Sequence, residues 1–304
     1  MSAQPTTLQQ RYPERATRWQ LRTQTLKLGR RPRLMGIINV TPDSFSDGGK
    51  FSEPQQAVDH ALQLAAEGAD ILDVGGESTR PYSDPVTASE EQKRVLPVIE
   101  AIAAKTNVPI SIDTSKAVVA TTAIAAGAEI INDVSGLTND PNMIAVAVET
   151  GAGICAMHMQ GTPQTMQDNP QYADVAADIG SYLQQRRDAL LAAGIVAARL
   201  CLDPGIGFGK THQHNLTLMA RCGQFHELGC PLLVGHSRKG FLAKLLGDKQ
   251  TDRTAATVGG ALALTTQGVQ VLRVHDVRPV REALLAFEAT GGIDGSELQL
   301  AEPS

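Results

Sequence analysis

The stretch "EGADILDVGG", residues 67–76, reads as the end of a helix, a glycine stop, a short apolar strand, and polar residues at the strand's far edge. The same phrase returns in "AGAEIINDVSG" (126–136), "TGAGICAMHMQG" (150–161) and "QGVQVLRVHDV" (267–277). Helical periodicity fills the intervals, as in "PQQAVDHALQLAAEG" after Glu53 and "MIAVAVETG" after Asn142, with glycine where a helix C-cap is expected. Adding "LMGIINV" (34–40), "PISIDTS" (109–115), "RLCLDPG" (199–205) and "PLLVGHS" (231–237) makes eight strand–helix units. Runs such as "ILDV" and "LLVG" are apolar on consecutive residues, as parallel strands covered on both faces are. Eight such units with no linker between them point to an α/β fold, a single (β/α)8 TIM barrel over residues 34–290. A doubly wound sheet is the rival, because a strand count does not establish closure.

Ahead of the barrel, "WQLRTQTLKL" (Trp19 to Leu28) alternates bulky and polar residues, which predicts a short N-terminal β-hairpin within residues 18–33. The barrel domain is thus expected over 16–292, with a disordered tail at 1–15 and a C-terminal tail at 293–304. The first 33 residues carry Arg11, Arg15, Arg18, Arg22, Lys27, Arg30, Arg31 and Arg33 against Glu14 alone. A basic arm for nucleic acid is one reading. Hairpin spacing and the net charge of −5 over the 304 residues favour a structural one. No run of 18 or more apolar residues is present, and the N-terminus lacks the apolar core of a secretory signal. Cys155, Cys201, Cys222 and Cys230 show no Cys-x-x-Cys spacing, so buried free thiols in a reducing, cytoplasmic setting are expected.

Ligands of a barrel bind where the strands end. Those ends carry Asn39, Asp73 with Glu77, Asp113, Asn132 with Asp133, His158, Asp203, Ser237-Arg238-Lys239, and Arg273 with His275. One aspartate after a strand is ordinarily a cap or turn residue. A polar group at nearly every strand end is not explained by capping alone. Amides and carboxylates beside Lys, Arg and His suit a flat heterocycle rich in donors and acceptors, next to an anionic group.

"DPGIGFGKT" (203–211) ends like a nucleotide phosphate loop. A Walker A loop needs G-x-x-x-x-G-K-[ST], and counting back from Gly209-Lys210-Thr211 puts Pro204 at the first glycine position. The run is better read as a tight strand-to-helix loop beneath a ligand, with Asp203 as its functional residue and Lys210 trimming the loop.

From Leu34 to Phe287 the chain resembles the dihydropteroate synthase family of the folate pathway. The motifs "MGIINVTPDSFSDGG", "ILDVGGESTRP", "ISIDTSK", "IINDVSG", "MHMQGTPQTMQ", "LDPGIGFGKT", "SRKGFL" and "LRVHDV" occur in that order. "NVTPDSFSDGG" and "ESTRP" are the specific ones; "INDVSG" and "DPGIGFGKT" are shared with other pterin-binding barrels.

The resemblance implies condensation of 6-hydroxymethyl-7,8-dihydropterin diphosphate with p-aminobenzoate, by a dissociative displacement at the pterin methylene. It implies Mg²⁺ at Asn39 with the diphosphate. Asp113, Asn132, Asp203 and Lys239 would hold the pterin, with Met157 and Phe208 near its ring. Arg273, His275 and Thr79 would face the diphosphate. Phe45 and Pro81 would flank p-aminobenzoate, with Ser237 at its carboxylate. Asp47, Arg80 and Lys239 would be catalytic. Small-molecule substrates are implied as partners, with a homodimer as the common assembly and neither nucleic acid nor membrane.

Two departures stand out. Tyr82 follows "ESTRP" where the family usually has glycine, and His236 precedes "SRK" in place of a small or apolar residue. Bland readings sit beside several functional ones: His158 as a satisfied strand-end histidine, Arg238 in an ion pair, and Asp73 and Glu77 as anchors of the second loop. His60, His212, His214 and His226 receive no role. A pterin-dependent methyltransferase on the same barrel would share "IND" and "DPG" but need neither "ESTRP" nor "SRK" with "RVHDV". A binding-only barrel is expected to have lost Asn39, Lys239, Arg273 or His275, and all four are present.

Overall fold

The computed structural model describes residues 7–41 and 53–295. A short helical turn, α1 (Leu8–Arg11), leads into an antiparallel hairpin of β1 (Arg18–Gln20) and β2 (Thr25–Lys27), which pairs Trp19 with Leu26. Eight parallel strands follow: β3 (Arg33–Asn39), β4 (Ile71–Gly75), β5 (Ile110–Asp113), β6 (Ile130–Asp133), β7 (Gly153–Met157), β8 (Leu200–Asp203), β9 (Leu233–Val234) and β10 (Val271–Val274). Their order is β8-β7-β6-β5-β4-β3-β10-β9. The two outer strands then meet: Leu202 N donates to Pro231 O at 2.9 Å, and Leu202 bridges Leu232 in parallel. That contact closes the barrel and removes the doubly wound alternative, whose sheet keeps two edges.

Side chains of a strand alternate between faces, so one parity fills the barrel and the other meets the helices. Ile38, Leu72, Ile112, Ile131, Ile154, Leu202, Val234 and Leu272 belong to the outer core. They pack under α2 (Glu53–Ala66), α3 (Ala88–Ala103), α4 (Ala117–Ala125), α5 (Met143–Thr150), α6 (Val175–Ala192), α7 (His212–Arg221), α8 (Gly240–Leu246), α9 (Thr254–Thr266) and α10 (Val277–Ala289). The inner parity begins apolar, with Met35, Ile71, Ile130, Cys155, Cys201, Leu233 and Val271 in a separate cluster. Two residues further along, the same face carries Asp73, Asn132, Met157, Asp203 and Arg273. The barrel is therefore oily at its N-terminal end and charged at its C-terminal end.

The hairpin plugs the oily end. Trp19, Leu21 and Leu28 join the inner cluster, and Trp19 Nε1 donates to Arg199 O at 2.9 Å. Gly153 opens β7 because a Cβ there would lie 3.0 Å from Leu21 Cδ2 and 3.3 Å from Gln20 O. The basic residues of the first segment serve this closure. Arg11 donates to Thr266 O, Arg15 to Gly268 O and Gly29 O, and Arg22 to Ile124 O. Most of these carbonyls lie at the ends of α9 and α4 or just beyond, where cations complement the orphan acceptors. Arg30 and Arg31 pair with Glu288, and Arg33 with Asp70.

The expectation of a disordered tail up to residue 15 needs correction for residues 7–15. Thr7 caps α1 through a reciprocal pair with Gln10, Leu8 is buried, and Arg15 is buried with both guanidinium bonds made. At the other end, Ile293 and Asp294 are buried rather than loose. All four cysteines are buried and free. Among the described residues, no helix is long and apolar enough to cross a membrane.

Candidate active site

The strand alternation that puts Ile71 and Val271 in the oily end puts Asp73 and Arg273, two residues on, at the charged one. Arg273 Nε meets Asp73 Oδ2 at 2.6 Å and Arg273 Nη2 meets Asp113 Oδ2 at 2.7 Å. Asn132 Nδ2 donates to both Asp73 oxygens at 3.3 Å. Burial pushes the Asp113 carboxyl up from the ordinary aspartate range, against the pull of Arg273, and the two neighbouring acids hold Arg273 firmly charged. Asp73, expected to anchor the second loop, instead fixes Arg273 and Asn132 at the barrel centre. Glu77 does anchor that loop, accepting from Val86 N at 2.7 Å and from Lys116 Nζ at 2.7 Å.

Across the mouth, the loop after β8 turns through Gly205, Gly207 and Gly209, all at positive φ. A Cβ on Gly205 would lie 1.9 Å from His158 O, so only glycine fits. Asp203 Oδ1 accepts from Gly205 N at 2.7 Å, and burial raises this carboxyl's pKa. Lys210 does more than trim the loop. It is buried, and its Nζ donates to Phe208 O at 2.8 Å and lies 3.0 Å from His158 Nδ1. Burial and Lys210 push His158 down to about 3, so this histidine is neutral, with Nδ1 facing the Lys210 amine. Tyr172 Oη and Gln167 Nε2 donate to Gly209 O and Gly207 O, at 2.7 Å and 2.9 Å.

Lys239 approaches this loop from the other side. Its Nζ sits 4.3 Å above the Phe208 ring and donates to Ile206 O. Burial, opposed by Asp203 and aided by Arg273, pushes its pKa down to about 7. His275 is held neutral: burial first, then Arg273, Arg238, Arg80 and Lys239, push it down to about 3. Ser237 Oγ lies 3.2 Å from His275 N and 3.0 Å from His275 Nδ1. Arg238 makes the expected ion pair, Nε to Asp276 Oδ2 at 2.9 Å.

Over this network lies a cavity of about 1000 Å³. Asn39, Thr79, Arg80, Pro81, Phe208, Ser237, Lys239, Arg273 and His275 all line it. Asp113, Asn132, Asp203 and Met157 do not line it; they stand at or next to the C-terminal ends of β5, β6, β8 and β7, on the inward face that carries Arg273. Phe45 and Asp47 lie outside the described residues. Ile37, Met166 and Gln167 line the same cavity and are missed by the sequence reading, although "TPQTMQ" carries two of them. Tyr82 stands at φ 63°, the left-handed conformation that glycine adopts freely; its N donates to Pro163 O and its Oη to Asp168.

The Asn39 carboxamide, half-buried at the end of β3, makes no hydrogen bond among the described residues. No group of three or more His, Cys, Asp or Glu side chains among those residues could cage a metal. A lone amide oxygen fits a hard cation that keeps waters and takes its other oxygens from substrate phosphates.

The model of the pterin binding enzyme family matches residues 35–275. The dihydropteroate synthase of Escherichia coli K12 is 47% identical over 259 residues, spanning 85% of this chain and 92% of that one. The chain belongs to the dihydropteroate synthase family. The dihydropteroate synthase of Xanthomonas albilineans, solved with 4-aminobenzoic acid, superposes with a TM-score of 0.85 at 43% identity, over 90% of this chain and 98% of that one. The same enzyme solved with 7,8-dihydropteroate gives a TM-score of 0.81 at 41% identity, with the same coverage. Dihydropteroate synthases are transferases of a pterinylmethyl group in folate biosynthesis, and this chain is a transferase of that kind.

Proposed function

We propose that the condensation of the pterin diphosphate with p-aminobenzoate runs in the cavity over the strand ends, with each bound group held by residues of this chain. The observation that carries this reading is the unspent hydrogen-bonding capacity around that one cavity. Asp113 uses Oδ2 and Asp203 uses Oδ1 internally, leaving one oxygen each, and Arg273 leaves Nη1 without a partner among the described residues.

The free oxygens of Asp113 and Asp203 and the carboxamide oxygen of Asn132, whose Nδ2 is spent on Asp73, accept N–H groups of the pterin, and Lys239 donates to the pterin carbonyl. Met157 and Phe208 give the ring apolar contact. Arg273 Nη1, the neutral imidazole of His275 and the Thr79 hydroxyl donate to the diphosphate. Mg²⁺ held by Asn39 and the diphosphate oxygens would supply further charge neutralisation there. The pterin C–O bond breaks, and pyrophosphate departs with both electrons into this set of donors. The methylene left behind is cationic; Asp47 stabilises it, with Arg80 near the reacting centre. The arylamine nitrogen, placed by Pro81, Phe45 and the Ser237 hydroxyl, which turns from His275 Nδ1 to donate to the carboxylate, forms the new C–N bond and releases its proton to solvent. No covalent enzyme intermediate is required.

A homodimer and a cytoplasmic setting belong to the same proposal. The four buried, unpaired cysteines fit a reducing compartment, and sedimentation velocity tests the dimer. The order of bond breaking is tested with pterin diphosphate carrying ¹⁸O at the bridging position. Scrambling of the label into non-bridging positions without p-aminobenzoate supports dissociation before attack. A label that stays bridging under those same conditions, in enzyme that turns over efficiently once p-aminobenzoate is added, contradicts it.

A further inference from the structure

The segment Ser237-Arg238-Lys239 presents two of the proposed contacts from three consecutive residues, with a backbone that does not favour it. Arg238 stands at φ 56°, a left-handed value for a non-glycine residue, which is held only where the surroundings over-determine it. The fastening comes from one residue of α9. Thr257, fully buried, accepts from Arg238 N on its Oγ1 at 3.2 Å, and from the His236 ring on its carbonyl, 2.9 Å from Nε2. A carbonyl can only accept, so His236 carries its proton on Nε2. His236 is fully buried, and its Nδ1 has no partner among the described residues. A second observation shows a place made for the ring. A Cβ on Gly260, one turn along α9, would stand 2.9 Å from His236 Cδ2 and 3.3 Å from Nε2. The histidine that departs from the small or apolar residue usual before "SRK" thus sits opposite a glycine that clears its seat.

We propose that His236 is a positioning residue of this active site: its Nε2–H bond to the Thr257 carbonyl, over Gly260, locks the left-handed Arg238. That lock directs Ser237 Oγ to His275 and Lys239 Nζ over Phe208. The inference rests on the substrate contacts proposed for Ser237 and Lys239. Arg253 closes the same turn from outside, donating to Arg238 O at 2.6 Å. The imidazole neither touches substrate nor exchanges a proton in the reaction.

The test compares His236→Ala, His236→Gln, Gly260→Ala and the His236→Ala/Gly260→Ala double variant with the parent and with Lys239→Ala, each at a temperature where thermal melts show it fully folded. His236→Ala is expected to lower kcat/KM for p-aminobenzoate by about tenfold or more, as misplacement of bound groups does. His236→Gln, whose carboxamide can donate to the same carbonyl, is expected to recover most of that loss. Gly260→Ala is expected to lower kcat/KM comparably alone and to add little in the His236→Ala background. If His236→Ala fails to fold, the glutamine and Gly260 variants carry the comparison. Parent-like kcat/KM in His236→Ala or in Gly260→Ala, beside an inactive Lys239→Ala, overturns the proposal. A glutamine variant no better than alanine also overturns it. An active Lys239→Ala overturns instead the site assignment on which it rests.

Discussion

Arg273 on the last strand lies 2.6 Å from Asp73 on the second barrel strand, tying together residues 200 apart in sequence. The bond spans β3, which separates β10 from β4 in the sheet. One fully buried carboxylate therefore orients the guanidinium that faces the cavity and steadies the mouth of the barrel.

Removing that carboxylate leaves Arg273 with Asp113 alone. Breaking one partner out of a buried pair typically costs ~3–5 kcal/mol, and Asp73→Ala is expected to lower unfolding stability by that order. Urea denaturation checks it. The change also frees Arg273 to swing, so activity is expected to fall beyond what stability explains, measured well below the new melting temperature.

The hairpin plug makes a prediction at the opposite end. Trp19 is fully buried against the inner cluster with its Nε1–H bonded. Truncating a buried tryptophan costs ~3–5 kcal/mol. Trp19→Ala is expected to lose that much stability while keeping KM for both substrates near the parent values, because the plug and the cavity sit at opposite ends.

The eight units and the face carrying polar groups are legible in the sequence because parallel strands repeat one pattern and alternate strictly. Closure is not legible: the Leu202–Leu232 bridge depends on sheet curvature, which no local pattern records. Trp19 to Leu28 announces a hairpin, but only Gly153 and the inner cluster reveal where it goes. Asp73 looks like a loop anchor because its partner lies at residue 273, beyond any window. Lys210 looks like a trimming residue because "GKT" suggests a solvent-facing loop, whereas the fold buries its amine against Phe208 O and His158. The segment from Thr7 to Arg15 reads as a tail because its few apolar residues give no period. It is held by arginine bonds to carbonyls instead.

Lys239 titrates near neutrality in the free protein, since burial pushes it down to about 7. In the proposed complex its protonated form donates to the pterin and complements the diphosphate charge. Raising the pH through about 7 removes that proton, so kcat/KM for the pterin diphosphate is expected to fall on the alkaline side. Lys239→Arg, which stays charged, is expected to be slower at about pH 7 and to lose this alkaline limb. A pH–rate profile of both proteins decides it.

His226 lies away from the cavity, with Nε2 3.0 Å from Gln267 O, and burial pushes it down to about 4. Its folded pKa is below its unfolded value of 6.5. Between those values the unfolded chain binds the extra proton, so the stability this group contributes is full above pH 6.5 and is lost as pH falls towards 4. Relative to His226→Gln, the parent is expected to lose about 1.4 kcal/mol per pH unit across that window. Parallel denaturation series stepped from about pH 7 down to about pH 4.5 read the difference.

The most direct test is formation of 7,8-dihydropteroate, with matched pyrophosphate release, by the purified protein supplied with pterin diphosphate and Mg²⁺, with and without p-aminobenzoate. A synthase that binds the pterin through Lys239 must form product that depends on p-aminobenzoate and falls about a hundredfold or more in Lys239→Ala. Tight pterin binding without any product, or full activity in Lys239→Ala, would contradict it.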